Sequence, residues 1–248
     1  MSQAILSRGP SGAEPVAKLM TRSVLTRSRM TYSRLIGALF LAGFLLYGVG
    51  GALVASLTGA HDLLATVSAN KTIFVLGAFA MLLNTPVDVA KAIFFFPILD
   101  KHSKRTALTY LAAMIVEVVF LTLGVLALMM IVPLAQYAGE GWARGLGSLA
   151  VQSNFMAYQF GEMFLGFGAL VLCLTLFRSR LIPRWLAISG LIGYVCLATG
   201  CIAEIFGIHI GLYLTMPGFF FELALPAWLL TKGFQPDAYR GPVAVSPA

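Results

Sequence analysis

The chain has 248 residues, of which 59% are hydrophobic and 11% are charged, and its formal net charge is +7. An average soluble domain carries roughly 25% charged residues, so this chain has fewer than half of the charges that a globular surface needs. The composition therefore excludes a soluble enzyme, a nucleic-acid-binding domain, a disulfide-stapled secreted domain and a disordered chain. It predicts an all-α polytopic membrane protein.

The first segment, residues 1–32, is polar, rich in Ser and Arg, and contains a single acid, Glu14. Organellar transit peptides share this composition, and so do disordered tails whose basic charge is attracted to anionic lipid headgroups. We predict a disordered basic cytoplasmic tail over residues 1–32, a transmembrane domain over 33–233 and a short polar C-terminal tail over 234–248.

Six apolar stretches are each long enough to cross roughly 30 Å of hydrocarbon. A helix satisfies every backbone hydrogen bond within its own segment, and none of the stretches shows the alternation of a β-barrel strand. The sequence therefore predicts a six-helix bundle, with spans at approximately residues 35–57, 73–99, 108–134, 155–177, 186–206 and 210–230.

The basic residues are distributed unequally between the two sides of these spans. Fourteen of them lie before the first span, after the last span, or in the loops that follow the second and fourth spans. The opposite loops contain only Lys71 and Arg144. The positive-inside rule then places both termini in the cytoplasm, which agrees with an even number of spans.

Ionisable residues within the spans are the strongest indication of a site, because each costs about 2.5 to 3.5 kcal/mol at a helix centre and so faces a bundle interior or a wet cavity. At a rise of ~1.5 Å per residue, five of them lie in one central slab. The five transport or proton-exchange candidates are Asp88, Lys91, Glu117, Glu162 and Glu222.

Asp88 and Lys91 are three residues apart in one helix and are predicted to pair directly. The three remaining carboxyl groups cannot all ionise in a low-dielectric site unless a bound cation or ligand offsets their charge. This predicts a proton reservoir, a cation site or a polar ligand pocket. The structural alternative is that each carboxyl group is a hydrogen-bonding link between helices.

Proline residues interrupt two of the spans beside this slab. Asn84 and Pro86 precede Asp88, and Pro217 lies five residues before Glu222. Proline kinks a helix and frees a carbonyl group, which could bind a cation or a hydrogen-bond donor. We interpret Asn84, Pro86 and Pro217 as supporting elements of the site.

Two histidines follow spans at the side opposite the termini. His61 and His209, with Glu204, are weak candidates for a metal or haem site, but their spacing matches no metal-binding motif. We predict no metal and no cofactor.

The sequence R-S-R-L-I-P-R-W-L at residues 178–186 and the final helix with P-G-F-F-F-E-L-A-L-P-A-W-L-L-T-K-G-F at residues 217–234 form a specific pair. Together they resemble the bacterial membrane family of domain of unknown function 4386, over about residues 33–235. The resemblance implies an integral protein of the bacterial cytoplasmic membrane and no particular activity.

The turn of residues 178–186 also has a physical interpretation. Pro183 starts the fifth span, where its missing N–H costs nothing. Arg178, Arg180 and Arg184 hold the loop at the cytoplasmic headgroups, and Trp185 lies at the interface. Alternatively, Arg184 reaches inward towards Glu222.

The leading functional hypothesis is a small proton- or cation-coupled transport or permeation protein, in which Lys91 is the counter-charge of the four acids. The second is a non-enzymatic sensory or assembly subunit whose carboxyl groups link helices. The third is a cofactor-binding redox or lipid-modifying enzyme, although we expect no enzymatic activity. The predicted partners are the lipid bilayer and either a second copy of the chain or a small molecule or ion.

Overall fold

The computed structural model describes residues 13–235, with their side chains from Met30 onward. It contains α1 (Ala13–Thr58), α2 (Leu63–Ala69), α3 (Lys71–Asp100), α4 (Lys104–Met129), α5 (Ile131–Leu134), a 3-10 turn (Ala135–Tyr137), α6 (Gly141–Arg178), α7 (Arg184–Ile205) and α8 (Gly211–Thr231). Six of these helices, α1, α3, α4, α6, α7 and α8, are long and apolar enough to cross a membrane. The predicted all-α, six-span fold is confirmed.

The six spanning helices form a closed ring. Each packs against the spanning helices that precede and follow it in the chain, and α8 packs back against α1. Small residues allow close approach at these crossings: a Cβ atom on Gly50 would lie 2.6 Å from the carbonyl oxygen of Gly77, and one on Gly168 would lie 2.3 Å from the Cβ of Ala113. Small residues of this kind are typical of helix contacts in lipid, where burial from water contributes little.

The outside of the ring is covered by large apolar side chains. Leu45, Leu76, Leu123, Leu149 and Val195, from five parts of the chain, are all more than half exposed. Such an apolar exterior is unfavourable in water and favourable against lipid tails. The surface therefore agrees with the six apolar helices in describing a membrane protein.

Two apolar clusters fill the two ends of the ring. The terminal cluster lies where α1 and the segment after α8 meet, and it includes Ile36, Leu99, Leu176 and Phe234. The far cluster lies at the opposite end, and it includes Leu57, Leu64 and Ile131. We call these ends of the bundle the terminal end and the far end.

The fourth span begins earlier than predicted. Helix α6 starts at Gly141 instead of near residue 155, and its 38 residues extend about 57 Å. The added turns carry Arg144, Gln152 and Asn154 among their apolar residues, so they fall below the hydropathy of a span. They pack instead against α2 and α5 at the far end.

The predicted tails also differ from the structure at their inner boundaries. Disorder was predicted for residues 1–32, but the backbone of α1 is helical from Ala13 onward. Pro15 lies in the first turn, where its missing N–H is tolerated, and no glycine or proline follows until Gly37. Phe234, in the predicted C-terminal tail, is buried in the terminal cluster. Residues 1–12 and 236–248 lie outside the described part of the chain.

Candidate functional site

The ring encloses a polar cavity of about 230 Å³. All six spanning helices contribute to its wall, and the wall contains the five ionisable residues predicted from the sequence. The convergence follows from the ring: each helix turns one face inward, and the inward faces of α3, α4, α6 and α8 carry the ionisable residues. The ionisable side chains of the cavity are Asp88, Lys91, Glu117, Glu162 and Glu222.

One face of α3 carries a paired group, which we call the α3 triad: Asn84, Asp88 and Lys91. Their spacing of four and three residues places them in line on an α-helix. The Nζ of Lys91 lies 2.5 Å from Oδ1 of Asp88, as the spacing predicted, and the side-chain amide of Asn84 donates a hydrogen bond to Oδ2. Both oxygens of Asp88 are therefore occupied, and its charge is compensated.

Lys91 has a second contact, which is with an aromatic ring. Its Nζ lies 4.8 Å from the centroid of the Phe40 ring, which is within the range of a cation–π interaction. The lysine is thus held between a carboxylate and an aromatic face. Among the described residues its salt bridge is with Asp88 and not with one of the other acids.

The other three carboxyl groups form the acidic wall: Glu117 on α4, Glu162 on α6 and Glu222 on α8. Glu117 is 3% exposed, and its Oε2 has no hydrogen-bond partner among the residues that the structure describes. Glu222 Oε1 accepts a hydrogen bond of 3.2 Å from the hydroxyl of Tyr194 on α7. Lys91 is the only basic residue in the described lining, so three carboxyl groups share a cavity whose one cation is already paired.

Part of the remaining wall is aromatic, a feature that sequence analysis missed. This aromatic wall consists of Phe44, Tyr47, Tyr158 and Phe219. Tyr47 and Tyr158 stack with their ring centroids 5.7 Å apart, although α1 and α6 stand on opposite sides of the ring. Phe44 and Phe219 join α1 to α8, with centroids 5.4 Å apart. The helical periodicity could have placed two of these rings in the cavity, because Tyr158 lies one helical turn before Glu162 and Phe219 lies three residues before Glu222.

Aromatic side chains also close the cavity towards the terminal end. The ring of Phe95, one turn beyond Lys91 on α3, is completely buried and lies edge-on to the rings of Phe40, Tyr110 and Phe234 at about 6 Å. Towards the far end, the Tyr47 and Tyr158 pair crosses the ring. The acids are therefore enclosed between two layers of aromatic side chains.

Glycine on α1 makes room for the α3 triad. A Cβ atom on Gly43 would lie 2.8 Å from Oδ1 of Asn84 and 3.3 Å from Oδ1 of Asp88. A Cβ atom on Gly48, five residues further on, would meet nothing within 4 Å. The backbone of α1 thus seals the triad on one side, while the wall near Gly48 is open.

The prolines lie beside the cavity without interrupting their helices. Helix α3 is continuous through Pro86, and α8 through Pro217. The carbonyl of Leu82, which Pro86 deprives of its backbone donor, accepts a hydrogen bond of 2.8 Å from the Thr85 hydroxyl. The Thr85 hydroxyl thus replaces the backbone N–H that Pro86 lacks. Pro217 precedes Gly218, whose Cα would lie 2.8 Å from a Cβ atom on Gly193.

The turn of residues 178–186 lies at the terminal end and outside the cavity. Arg178 ends α6, Arg180 has a positive φ of 51°, and Pro183 precedes the first residue of α7. The guanidinium of Arg184 lies 5.5 Å from the centroid of the Phe177 ring, so it does not reach inward to Glu222. Trp185 is 61% exposed on the outside of the bundle. These positions are those of a surface loop.

Of the three weak metal candidates, the structure brings together Glu204 and His209. Glu204 Oε2 lies 2.9 Å from Nδ1 of His209, and its Oε1 accepts the backbone N–H of Gly211 at 2.8 Å. This carboxylate therefore fastens the loop between α7 and α8. His61 is exposed in the loop after α1. In the described part of the chain, no three His, Cys, Asp or Glu side chains come close enough to hold one metal ion.

Comparison with known proteins gives one result. A family model described as Domain of unknown function (DUF4386) matches residues 35–233, which include every residue of the cavity wall and all of the spanning helices except the start of α1. No curated protein and no solved structure matches the chain.

Proposed function

The chain belongs to this family of unknown function, as the turn and the final helix predicted, and we propose that it is a proton-coupled cation transport protein. The observation that carries the proposal is the convergence of Glu117, Glu162 and Glu222 on one cavity whose lysine is already paired with Asp88. Three helices that are separate in the chain supply these carboxyl groups, so they form a site only in the assembled ring.

The chemistry of the acidic wall makes protons and cations compete. Several carboxylates in a low-dielectric cavity repel one another, so each must be protonated or be offset by a bound cation. Binding of a cation then releases protons, and protonation releases the cation. This exchange is the elementary step of a proton-coupled antiporter, and it requires no further cofactor.

The proposed setting is the bacterial cytoplasmic membrane with the terminal end in the cytoplasm. The terminal end carries Lys101, Lys104 and Arg105 in one loop and the arginines of residues 178–184 in another, whereas the far end carries Lys71 and Arg144. This asymmetry supports the orientation through the positive-inside rule.

The test is a flux measurement in proteoliposomes that contain a pH-sensitive dye. An imposed cation gradient is expected to drive proton movement with the wild-type chain, and Glu162→Gln is expected to abolish this movement. The matched control is Glu140→Gln, which makes the same chemical change at an exposed residue outside the cavity. Proton movement that is unchanged in Glu162→Gln would refute the proposal.

The structural alternative has specific support at one position. Glu222 is hydrogen-bonded to Tyr194 and so links α8 to α7. For this residue, Glu222→Gln is expected to change stability as well as flux. Among the described residues, no hydrogen bond of this kind links Glu162 or Glu117 to another helix, so these two are the decisive positions. Loss of stability in all three variants, with no flux in the wild type, would favour the structural role of an assembly subunit.

A further inference from the structure

The cavity presents two chemically different surfaces to whatever occupies it. The acidic wall offers carboxyl groups from α4, α6 and α8, and the aromatic wall offers four rings from α1, α6 and α8. Carboxylates alone would suit many cations, including hydrated metal ions. The aromatic rings narrow the range of cations that fit the cavity, because a ring offers an apolar, negatively polarised face in place of an oxygen ligand.

Aromatic faces attract organic cations, and cages of aromatic and acidic side chains recognise ammonium groups. The protein contains such an arrangement for its own amine: the Nζ of Lys91 lies between the Asp88 carboxylate at 2.5 Å and the face of the Phe40 ring at 4.8 Å. The acidic and aromatic walls repeat this combination without a lysine. Glu162 and Tyr158 lie one helical turn apart on α6, and Glu222 and Phe219 lie three residues apart on α8.

The dimensions of the site fit a small organic molecule. A volume of about 230 Å³ equals that of roughly eight liquid waters, at about 30 Å³ each. A metal ion is held by several oxygens at about 2 to 2.6 Å, whereas the carboxyl groups here are spread around the wall. In the described residues, no three of them meet at one point. An ammonium group with an apolar substituent can contact a carboxyl group on one side and aromatic rings on the other.

One carboxyl oxygen of the acidic wall also lacks a hydrogen-bond donor among the described residues. Glu117 lines the cavity, is 3% exposed, and has an Oε2 without a partner among the described residues. A buried acceptor of this kind is costly unless a donor is supplied. A primary amine in its protonated form supplies N–H donors and positive charge together, whereas a quaternary ammonium supplies charge alone.

We propose that the cation recognised in this cavity is a small protonated amine with an apolar substituent. Its ammonium group lies at the acidic wall, and its substituent lies against Tyr47, Tyr158, Phe44 and Phe219. This inference rests on the proposed function, because it names the cation class that the same site binds and exchanges for protons.

The test is calorimetric titration of the full chain in nanodiscs with n-butylammonium, tetraethylammonium, sodium and uncharged butanol. Binding is expected for n-butylammonium, with at least tenfold weaker binding of each of the other three. Tyr158→Leu is expected to weaken n-butylammonium binding about tenfold, equivalent to 1.4 kcal/mol, whereas Tyr158→Phe retains the ring and the affinity. The control is Tyr213→Leu, which changes a tyrosine that is 78% exposed on the outside of α8.

The outcomes separate this inference from the proposed function. Sodium-driven, Glu162-dependent proton flux without n-butylammonium binding would overturn the amine inference and leave the transport proposal standing. Equal affinity for tetraethylammonium would overturn the requirement for N–H donors, and equal weakening by Tyr213→Leu would overturn the role of the aromatic wall. If no cation binds or moves, both proposals fail.

Discussion

The glycine crossing between α1 and α3 provides a sharp test of how the cavity is built. A Cβ atom on Gly50 would lie 2.6 Å from the carbonyl oxygen of Gly77 and 2.9 Å from the backbone nitrogen of Met81. Both contacts are with backbone atoms, so no side-chain rotation relieves them. A Cβ atom on the neighbouring Gly51 would meet nothing within 4 Å. Gly50→Ala and Gly51→Ala therefore make the same chemical change at neighbouring positions, one in the crossing and one outside it.

The size of the effect follows from these distances. Since unstrained non-bonded contacts are about 3.5 Å, Gly50→Ala must move α1 away from α3 by about 1 Å. Overpacking of this kind costs roughly 1–3 kcal/mol, and the higher helix propensity of alanine returns up to about 1 kcal/mol. These two effects leave a net loss of about 0–3 kcal/mol. We expect Gly50→Ala to lower the free energy of unfolding by about 1–2 kcal/mol, in the middle of this range. Gly51→Ala is expected to leave it unchanged or raise it slightly.

The displacement is also expected to reach the cavity. Gly43 lies seven residues before Gly50 on the same face of α1, and it packs against Asn84, which lies seven residues after Gly77 on the antiparallel α3. Moving α1 outward therefore loosens the cover over the α3 triad. Unfolding by a denaturing detergent, followed by tryptophan fluorescence, measures the stability of both variants. The reasoning is refuted if Gly50→Ala is as stable as the wild type, or if Gly51→Ala is destabilised equally.

Two further predictions concern α3. Asp88→Asn leaves the Lys91 charge buried without its carboxylate and is expected to lower the free energy of unfolding by about 3–5 kcal/mol. The double variant Asp88→Leu with Lys91→Leu is expected to recover most of this loss, because it removes both charges. A double variant that is no more stable than Asp88→Asn would contradict the pairing. Thr85→Val removes the donor to the Leu82 carbonyl and is expected to cost about 1 kcal/mol. In a Pro86→Ala background the restored backbone N–H replaces that donor, so an equal loss in both backgrounds would contradict this account.

The sequence predicted the spans and the acids because both are properties of single residues or short windows. An apolar run of sufficient length becomes a helix in lipid whatever surrounds it, and an ionisable residue within the run must face inward. Asp88, Lys91, Glu117, Glu162 and Glu222 were therefore identified without knowledge of the helix order. The pairing of Asp88 with Lys91 was predicted because it depends only on spacing within one helix.

The aromatic wall and the glycine crossings were missed for a different reason. Phenylalanine and tyrosine are equally compatible with lipid, with the helix contacts and with the cavity, so their identity alone does not indicate which way they face. Tyr47 and Tyr158 become partners only because α1 and α6 stand opposite each other in the ring. The early start of α6 was missed because polar residues such as Arg144 and Gln152 obscure a helix that packs partly on protein.

The closed ring has a consequence for how the protein is made. Neighbours in the ring are neighbours in the chain, so each helix can dock on its predecessor as it leaves the ribosome, until α8 joins α1 through the bond from Arg34 Nε to the Leu230 carbonyl. Before α8 inserts, the other five helices form an incomplete ring, and Asp88, Glu117 and Glu162 face the position that α8 will occupy. Hydrocarbon at that position is a poor solvent for these charged groups. Insertion of the last helix supplies the missing wall. A chain that is cut short before α8 would therefore leave these ionisable groups without one wall of their cavity.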